Sequence, residues 1–258
     1  MKFEHIELEV TADHVATVAL NKPPVNALGQ AIREELIYAF DSLHDRDDVR
    51  VVILTGRGRV FCAGADIKEK RALGTEPGTY VRTNRLIREA FYCILECGKP
   101  VIAAVNGAAL GAGMVLTSMC DVVLAADHAV FGMPEIDVGL AGGASFLQRL
   151  LPPSKFRRML LTGERVPAAE LYRLGYVEEC VPADRLMAAA MELALTIAAK
   201  SPTAVRMTKE SFNLVENLPL RDGYRLEQNV IVALSKTEDA KEAQRAFLEK
   251  RKPVFTRR

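Results

Sequence analysis

The stretch that most constrains this chain runs from Pro100 to Gly143 and reads PVIAAVNGAALGAGMVLTSMCDVVLAADHAVFGMPEIDVGLAGG. An uninterrupted apolar run, Val101 to Val105, is bounded by Pro100 and by Asn106-Gly107, which predicts a strand buried on both faces. Gly107, Gly111 and Gly113 come next, followed by an apolar segment from Met114 to Met119. That order predicts a glycine-rich turn entering a helix at about Gly113, with free backbone N–H groups pointing at something negative. A second buried strand, Val122 to Ala126, leads into Phe131-Gly132-Met133-Pro134-Glu135, a carboxylate set among apolar residues. Anion-stabilising amides and one acid in apolar surroundings are the parts of a site that handles a developing oxyanion and moves a proton.

The residues before this stretch read as the start of an α/β domain. Phe3 to Val10 and His14 to Leu20 alternate, which predicts an antiparallel pair near a sheet edge. Asn21-Lys22-Pro23-Pro24-Val25-Asn26 is turn chemistry. Ile32, Leu36, Ala39, Phe40 and Leu43 recur at helical spacing, and Val51 to Leu54 is a short buried strand ending in Thr-Gly-Arg-Gly-Arg. Tyr80 to Cys97 is a long amphipathic helix whose Arg82, Arg85 and Arg88 share a basic stripe. The sum is a mostly parallel sheet with crossover helices. In such sheets ligands sit outside the carboxyl ends of strands, so the glycine turns after Leu54 and after Val105 face one crevice.

Beyond Gly143 the pattern turns helical: 144–151, 154–161, 168–174, 184–200, 202–217, 220–235 and 237–251 all carry 3.6-type spacing. Asp184 is placed as an N-cap, Ser145 as a helix cap, and Pro202 and Thr237 at helix starts. Apolar faces on so many helices fit both packing onto the core and self-association.

Composition narrows the partners. The formal net charge is +1 over 258 residues, which gives no reason to expect nucleic acid or an anionic membrane surface. No apolar run approaches the roughly 20 residues that span a bilayer. Acids interrupt the N-terminal MKFEHIELEV where a signal peptide needs an apolar core, so the expected location is cytoplasmic. The cysteines (62, 93, 97, 120, 180) are odd in number and sit among apolar neighbours, as reduced thiols do; Cys93 and Cys97 lack a second ligand pair, so no metal site is expected.

Familiar catalytic constellations are missing. The chain has no G-x-S-x-G, no glycine-rich loop ending in Gly-Lys-Ser/Thr and no H-E-x-x-H. His5, His14, His44 and His128 read as surface or edge residues. A dinucleotide fingerprint at Gly111-Ala112-Gly113 fails, because Leu116 stands where the third glycine belongs.

Taken together, Phe61-Cys62-Ala63-Gly64-Ala65-Asp66-Ile67-Lys68-Glu69, Asn106 to Gly113, Cys120-Asp121 and Phe131 to Gly139 resemble the enoyl-CoA hydratase/isomerase (crotonase) family over nearly the whole chain. The resemblance implies an α/β spiral of ββα units over residues 1–200, a helical oligomerisation region over 201–258, homotrimers or pairs of trimers, and acyl-CoA thioester substrates. Coenzyme A enters as part of the substrate, and no separate cofactor is implied. It assigns the oxyanion hole to the backbone N–H groups of Ala65 and Ala112; the family usually has glycine at the second position, and an N–H is all that is needed. It makes Glu135 the proton-transferring glutamate and places the family's second glutamate at position 115, which here is Val115. It lines the CoA path with Ala63, Asp66, Ile67, Lys68, Gly111 and Val115, with Lys22 and Lys250 as weaker phosphate contacts. One carboxylate suffices to move a double bond, whereas hydration shares water between two, so isomerisation is the expected reaction. Hydration, decarboxylation, thioester hydrolysis, retro-aldol cleavage and acyl-CoA binding without turnover remain compatible with the same parts. Asp137 is expected to point away from Glu135 if the segment is extended.

Overall fold

A computed structural model describes residues 3–255; the ends of the two expected regions, 1–2 and 256–258, lie outside it. The chain opens with β1 (Ile6–Val10) antiparallel to β2 (Val15–Leu20), and β1 forms a sheet edge, as the alternating pattern predicts. There follow α1 (Gln30–Asp45), β3 (Val51–Gly56), β4 (Val60–Cys62), α2 (Ile67–Arg71), α3 (Thr79–Leu95), β5 (Val101–Val105), β6 (Ala108–Leu110), α4 (Ala112–Ser118), β7 (Val122–Ala126) and β8 (Val130–Gly132). After a 3₁₀ helix at Pro134–Val138 come α5 (Ala144–Leu147), α6 (Pro153–Thr162), β9 (Arg165–Pro167), α7 (Ala168–Arg173), β10 (Glu179–Val181), α8 (Leu186–Ala198), α9 (Pro202–Val215), α10 (Leu220–Ser235) and α11 (Glu238–Leu248).

Two sheets share these strands. The larger runs β1-β2-β3-β5-β7-β10 and is parallel from β2 onward; the smaller runs β4-β6-β8-β9. The chain therefore spirals: β3, β5 and β7 each lie in the large sheet, and each is followed by a short strand, β4, β6 or β8, in the small one. The short strands escape sequence reading because three residues are too few to display a period. Thr55 aside, which donates its hydroxyl to the Ala104 carbonyl, each of these long strands is apolar because both its faces are covered. On one side lies α8, whose Leu186, Ala190, Ala194 and Ala198 form a buried stripe at i, i+4 spacing against β2, β3, β5 and β7. No helix among the described residues is long and apolar enough to cross a membrane.

Four local expectations change. Pro182 starts a 3₁₀ turn at Ala183–Arg185, so Asp184 already lies in helical backbone and α8 begins without a side-chain cap. Gly143, in the left-handed region at φ 83°, begins α5, and Ser145 sits inside that turn rather than capping it. Helix α4 starts at Ala112, one residue before Gly113. The Glu135 segment is 3₁₀, not extended, so alternation does not govern where Asp137 points. Ser201 and Thr237 do cap α9 and α11, accepting from Ala204 N and Ala240 N, with Pro202 in the first turn of α9.

Candidate active site

The first turn follows β4. Leu28 N–H donates to the Gly64 carbonyl at 2.8 Å and Asp66 N–H donates to the Leu28 carbonyl at 3.1 Å. This is one rung of a parallel ladder centred on Ala65, so Ala65's own N–H is directed away from Leu28. Gly64 sits at φ 106°, a conformation that costs glycine little. Asp66 then caps α2: Oδ1 accepts from Lys68 N at 3.0 Å and Glu69 N at 3.3 Å, and Oδ2 accepts from Lys22 Nζ at 3.2 Å. Partial burial pushes the Asp66 carboxyl up, but Lys22 and the helix N–H groups outweigh it and hold its pKa below the ordinary value.

The second turn follows β6. Gly111, at φ 53°, donates its N–H to the Gly132 carbonyl at 2.8 Å and hands the chain to α4. Ala112 is the first residue of α4, so its N–H has no intrahelical acceptor. Neither the Ala65 nor the Ala112 N–H donates to an acceptor among the described residues. The two turns meet: a Cβ built on Gly64 would lie 3.7 Å from Ala112 N and 3.0 Å from the Leu110 carbonyl oxygen. Gly113 holds them in contact, since a Cβ there would overlap the Cys62 carbonyl oxygen at the end of β4.

Glu135 arrives from the 3₁₀ helix after β8 and lays its carboxylate against the second turn. A Cβ on Gly111 would lie 2.5 Å from Glu135 Oε1, so the glycine serves both the backbone turn and the carboxylate's seat. Glu135 Oε2 is buried with no hydrogen-bond partner among the described residues, and no ion pair engages the group. Burial pushes its pKa above the ordinary carboxylate value, only partly offset by its own backbone N–H and by Lys70. Val115, one turn into α4, is buried and donates its N–H to the Gly111 carbonyl. It offers no polar atom.

The structure thus brings Ala65, Gly111, Ala112, Val115 and Glu135 to one place, with Ala63 (N–H to the Val25 carbonyl, 3.0 Å) and Asp66 on its border. Lys22 joins them through its ion pairs to Asp66 and, at 3.6 Å, Glu69. Ile67 and Lys68 stand exposed on α2. Lys250 follows α11, exposed, and no printed bond ties its side chain to either turn. Beside Ala65 a cavity of about 810 Å³ opens between α1, α2 and α3, lined by Arg33, Lys70 and Arg82 among others. Arg82 is the member of the basic stripe that reaches it. Sequence reading missed Arg33 and Lys70: a cation on an amphipathic helix usually faces water, as Lys70 does at the cavity's edge, and only the packing of α1 against α3 buries Arg33.

This is the crotonase architecture: a spiral whose successive turns bring two amide-bearing corners and a carboxyl together. The family model for enoyl-CoA hydratase/isomerase matches residues 11–258, and the chain belongs to that family of acyl-CoA enzymes. A probable enoyl-CoA hydratase of Mycobacterium bovis is 39% identical over 263 residues, covering 100% of both chains. A (7aS)-7a-methyl-1,5-dioxo-2,3,5,6,7,7a-hexahydro-1H-indene-carboxyl-CoA hydrolase of Rhodococcus jostii is 38% identical over 241 residues, 93% of each chain. Among solved structures, an enoyl-CoA hydratase from Bacillus anthracis superposes with a TM-score of 0.93 at 34% identity, covering 99% of this chain and 100% of its own.

Proposed function

We propose that this enzyme isomerises the double bond of an enoyl-CoA, with Glu135 as the only proton shuttle and the N–H groups of Ala65 and Ala112 as the oxyanion hole. The observation that carries the reading is a half-buried Glu135 whose Oε2 is buried without a hydrogen-bond partner among the described residues, seated against Gly111, with Val115 in place of a second acid. Glu135 takes a proton from C2 of a 3-enoyl thioester, and the electron pair moves onto the carbonyl oxygen as an enolate. The two amides hold that oxygen, each worth roughly 3–4 kcal/mol to the transition state. The proton returns at C4, the double bond settles between C2 and C3, and Glu135 is again a carboxylate. Its raised pKa suits a group that both accepts and returns a proton. Ala63, Asp66, Ile67, Lys68, Gly111 and Val115 border the thioester and CoA in this reading, and the enzyme needs no cofactor besides the CoA its substrate carries. Exposed apolar residues on the C-terminal helices, Leu220, Phe247 and Leu248, suit self-association as a homotrimer or a pair of trimers.

Hydrolytic cleavage of an acyl-CoA is the second reading, favoured by 38% identity to the Rhodococcus hydrolase, within one per cent of the 38–39% to the probable hydratases. The test sets 3-enoyl-CoA and 2-enoyl-CoA side by side, with the wild type and Val115→Glu. The wild type is expected to turn over the 3-enoyl thioester and to hydrate the 2-enoyl thioester weakly, while Val115→Glu gains hydration. Wild-type hydration that outpaces isomerisation overturns the proposal.

A further inference from the structure

The cavity beside Ala65 holds a cationic side chain that no described residue hydrogen-bonds or ion-pairs. Arg33, on α1, is 7% exposed, lines the cavity, and its guanidinium makes no hydrogen bond or ion pair among the described residues. A buried cation that neighbouring acids reach only at a distance, without a hydrogen bond, is costly to a fold, so it marks a place where something outside the chain is to be met. The acids nearby are committed elsewhere. Glu69 reaches from α2 to cap α1, accepting from Gln30 N at 2.7 Å and facing Lys22; Asp66 accepts from Lys22 and from the first N–H groups of α2. Glu34, the remaining acid in the wall, accepts from Gln30 Nε2 at 2.8 Å. Burial, the largest influence, pushes the Arg33 pKa down despite Glu69 and Asp66. Lys70, exposed on α2, adds a second cation to the same wall.

Resting on the acyl-CoA reading above, we propose that Arg33 is a specificity-determining residue that receives a carboxylate at the far end of the acyl group. The preferred substrates are then CoA monothioesters of dicarboxylic acids. With the thioester oxygen at the Ala65 amide, the acyl chain enters the adjoining cavity, which falls within the roughly 300–1,000 Å³ of ordinary ligand pockets. A planar guanidinium grips a carboxylate through two parallel hydrogen bonds, and in a half-dry cavity that pairing discriminates strongly against an uncharged chain end. A phosphate of CoA is the other anion with the same chemistry, and the experiment separates the two.

Isothermal titration of the full chain with the saturated thioesters glutaryl-CoA, adipoyl-CoA, butyryl-CoA and hexanoyl-CoA, and with free CoA, tests this in the wild type, Arg33→Met and Arg33→Lys. The wild type is expected to bind the carboxyl-terminated pair about tenfold or more tightly than the uncharged pair. Arg33→Met is expected to erase that ratio and Arg33→Lys to restore part of it. Equal wild-type affinities, or a ratio that survives Arg33→Met, overturn the proposal. So does an Arg33→Met that weakens all thioesters and free CoA alike, which assigns Arg33 to a CoA phosphate. Thermal unfolding guards against a structural role: loss of an unpaired buried cation is expected to leave Tm equal or higher, and a large fall in Tm with the ratio intact overturns the assignment. Binding, not turnover, is read, so a failure of isomerisation leaves this result standing; no binding by any thioester overturns both.

Discussion

Glu135 concentrates the site's electrostatics in one side chain. Its folded pKa lies above the ordinary value of 4.5 because burial disfavours the charged form. Between 4.5 and the raised value the native carboxyl holds a proton that the unfolded chain releases, so its stabilising share is present at low pH and is lost as pH rises through the folded pKa. In the proposed mechanism catalysis runs the opposite way, since Glu135 has to start as a carboxylate. The acid limb of the kcat/KM profile is therefore expected above 4.5, and Glu135→Gln is expected to lose about 10²–10⁴-fold in kcat while flattening the pH dependence of stability over that window. A Glu135→Gln enzyme with wild-type kcat removes the residue from the mechanism. At this scale the sequence was legible where chemistry is local: an acid between Met133-Pro134 and Ile136 reads as a carboxylate in apolar company. Arg33 was not legible, because its burial arises from residues 66–87 folding over it.

Elements meet at the active site through glycines that cannot be exchanged. Gly113 lets the start of α4 rest on the end of β4, and the contact sets the spacing of the Ala65 and Ala112 amides. Gly113→Ala drives a methyl group into the Cys62 carbonyl, backbone that cannot swing aside. The expected result is a stability loss of about 1–3 kcal/mol, with a fall in kcat that persists at temperatures where the variant is fully folded. Thermal unfolding and steady-state rates check both, and an unaltered kcat means that the spacing of the turns is not critical. The long strands and helices were predicted from periodicity, yet β4, β6 and β8 were not. Their pairing partners lie far along the chain, and three residues carry no pattern of their own. The 3₁₀ conformation around Glu135 was equally hidden, since Pro134 permits both an extended and a helical start.

Across the whole molecule, one buried network fastens the C-terminal helices to the sheet. Lys209 of α9 donates to Asp121 Oδ2 at 2.8 Å and to the Lys99 carbonyl at 3.0 Å, while the same Asp121 oxygen accepts from Val101 N at 2.6 Å where β5 begins. Burial pushes the Asp121 pKa up even with Lys209 beside it, so the carboxylate depends on that partner. Lys209→Met is expected to destabilise the chain by about 3–5 kcal/mol, and Asp121→Asn added to it to recover part of the loss, measured by urea unfolding. A neutral Lys209→Met means the network does not hold the two regions together. What the amino-acid order determined by itself was the alphabet of the fold: apolar runs that must be strands covered on both faces, glycines at their ends, and one acid in greasy surroundings. Local sterics and side-chain periodicity suffice for that. Only the tertiary structure decided that the turns at residues 64 and 112 lie side by side, that Gly111 seats Glu135, and that Arg33 lines a cavity. These are distances between residues far apart in sequence, set by how two sheets and a spiral of crossovers pack, and no short window of the chain contains them.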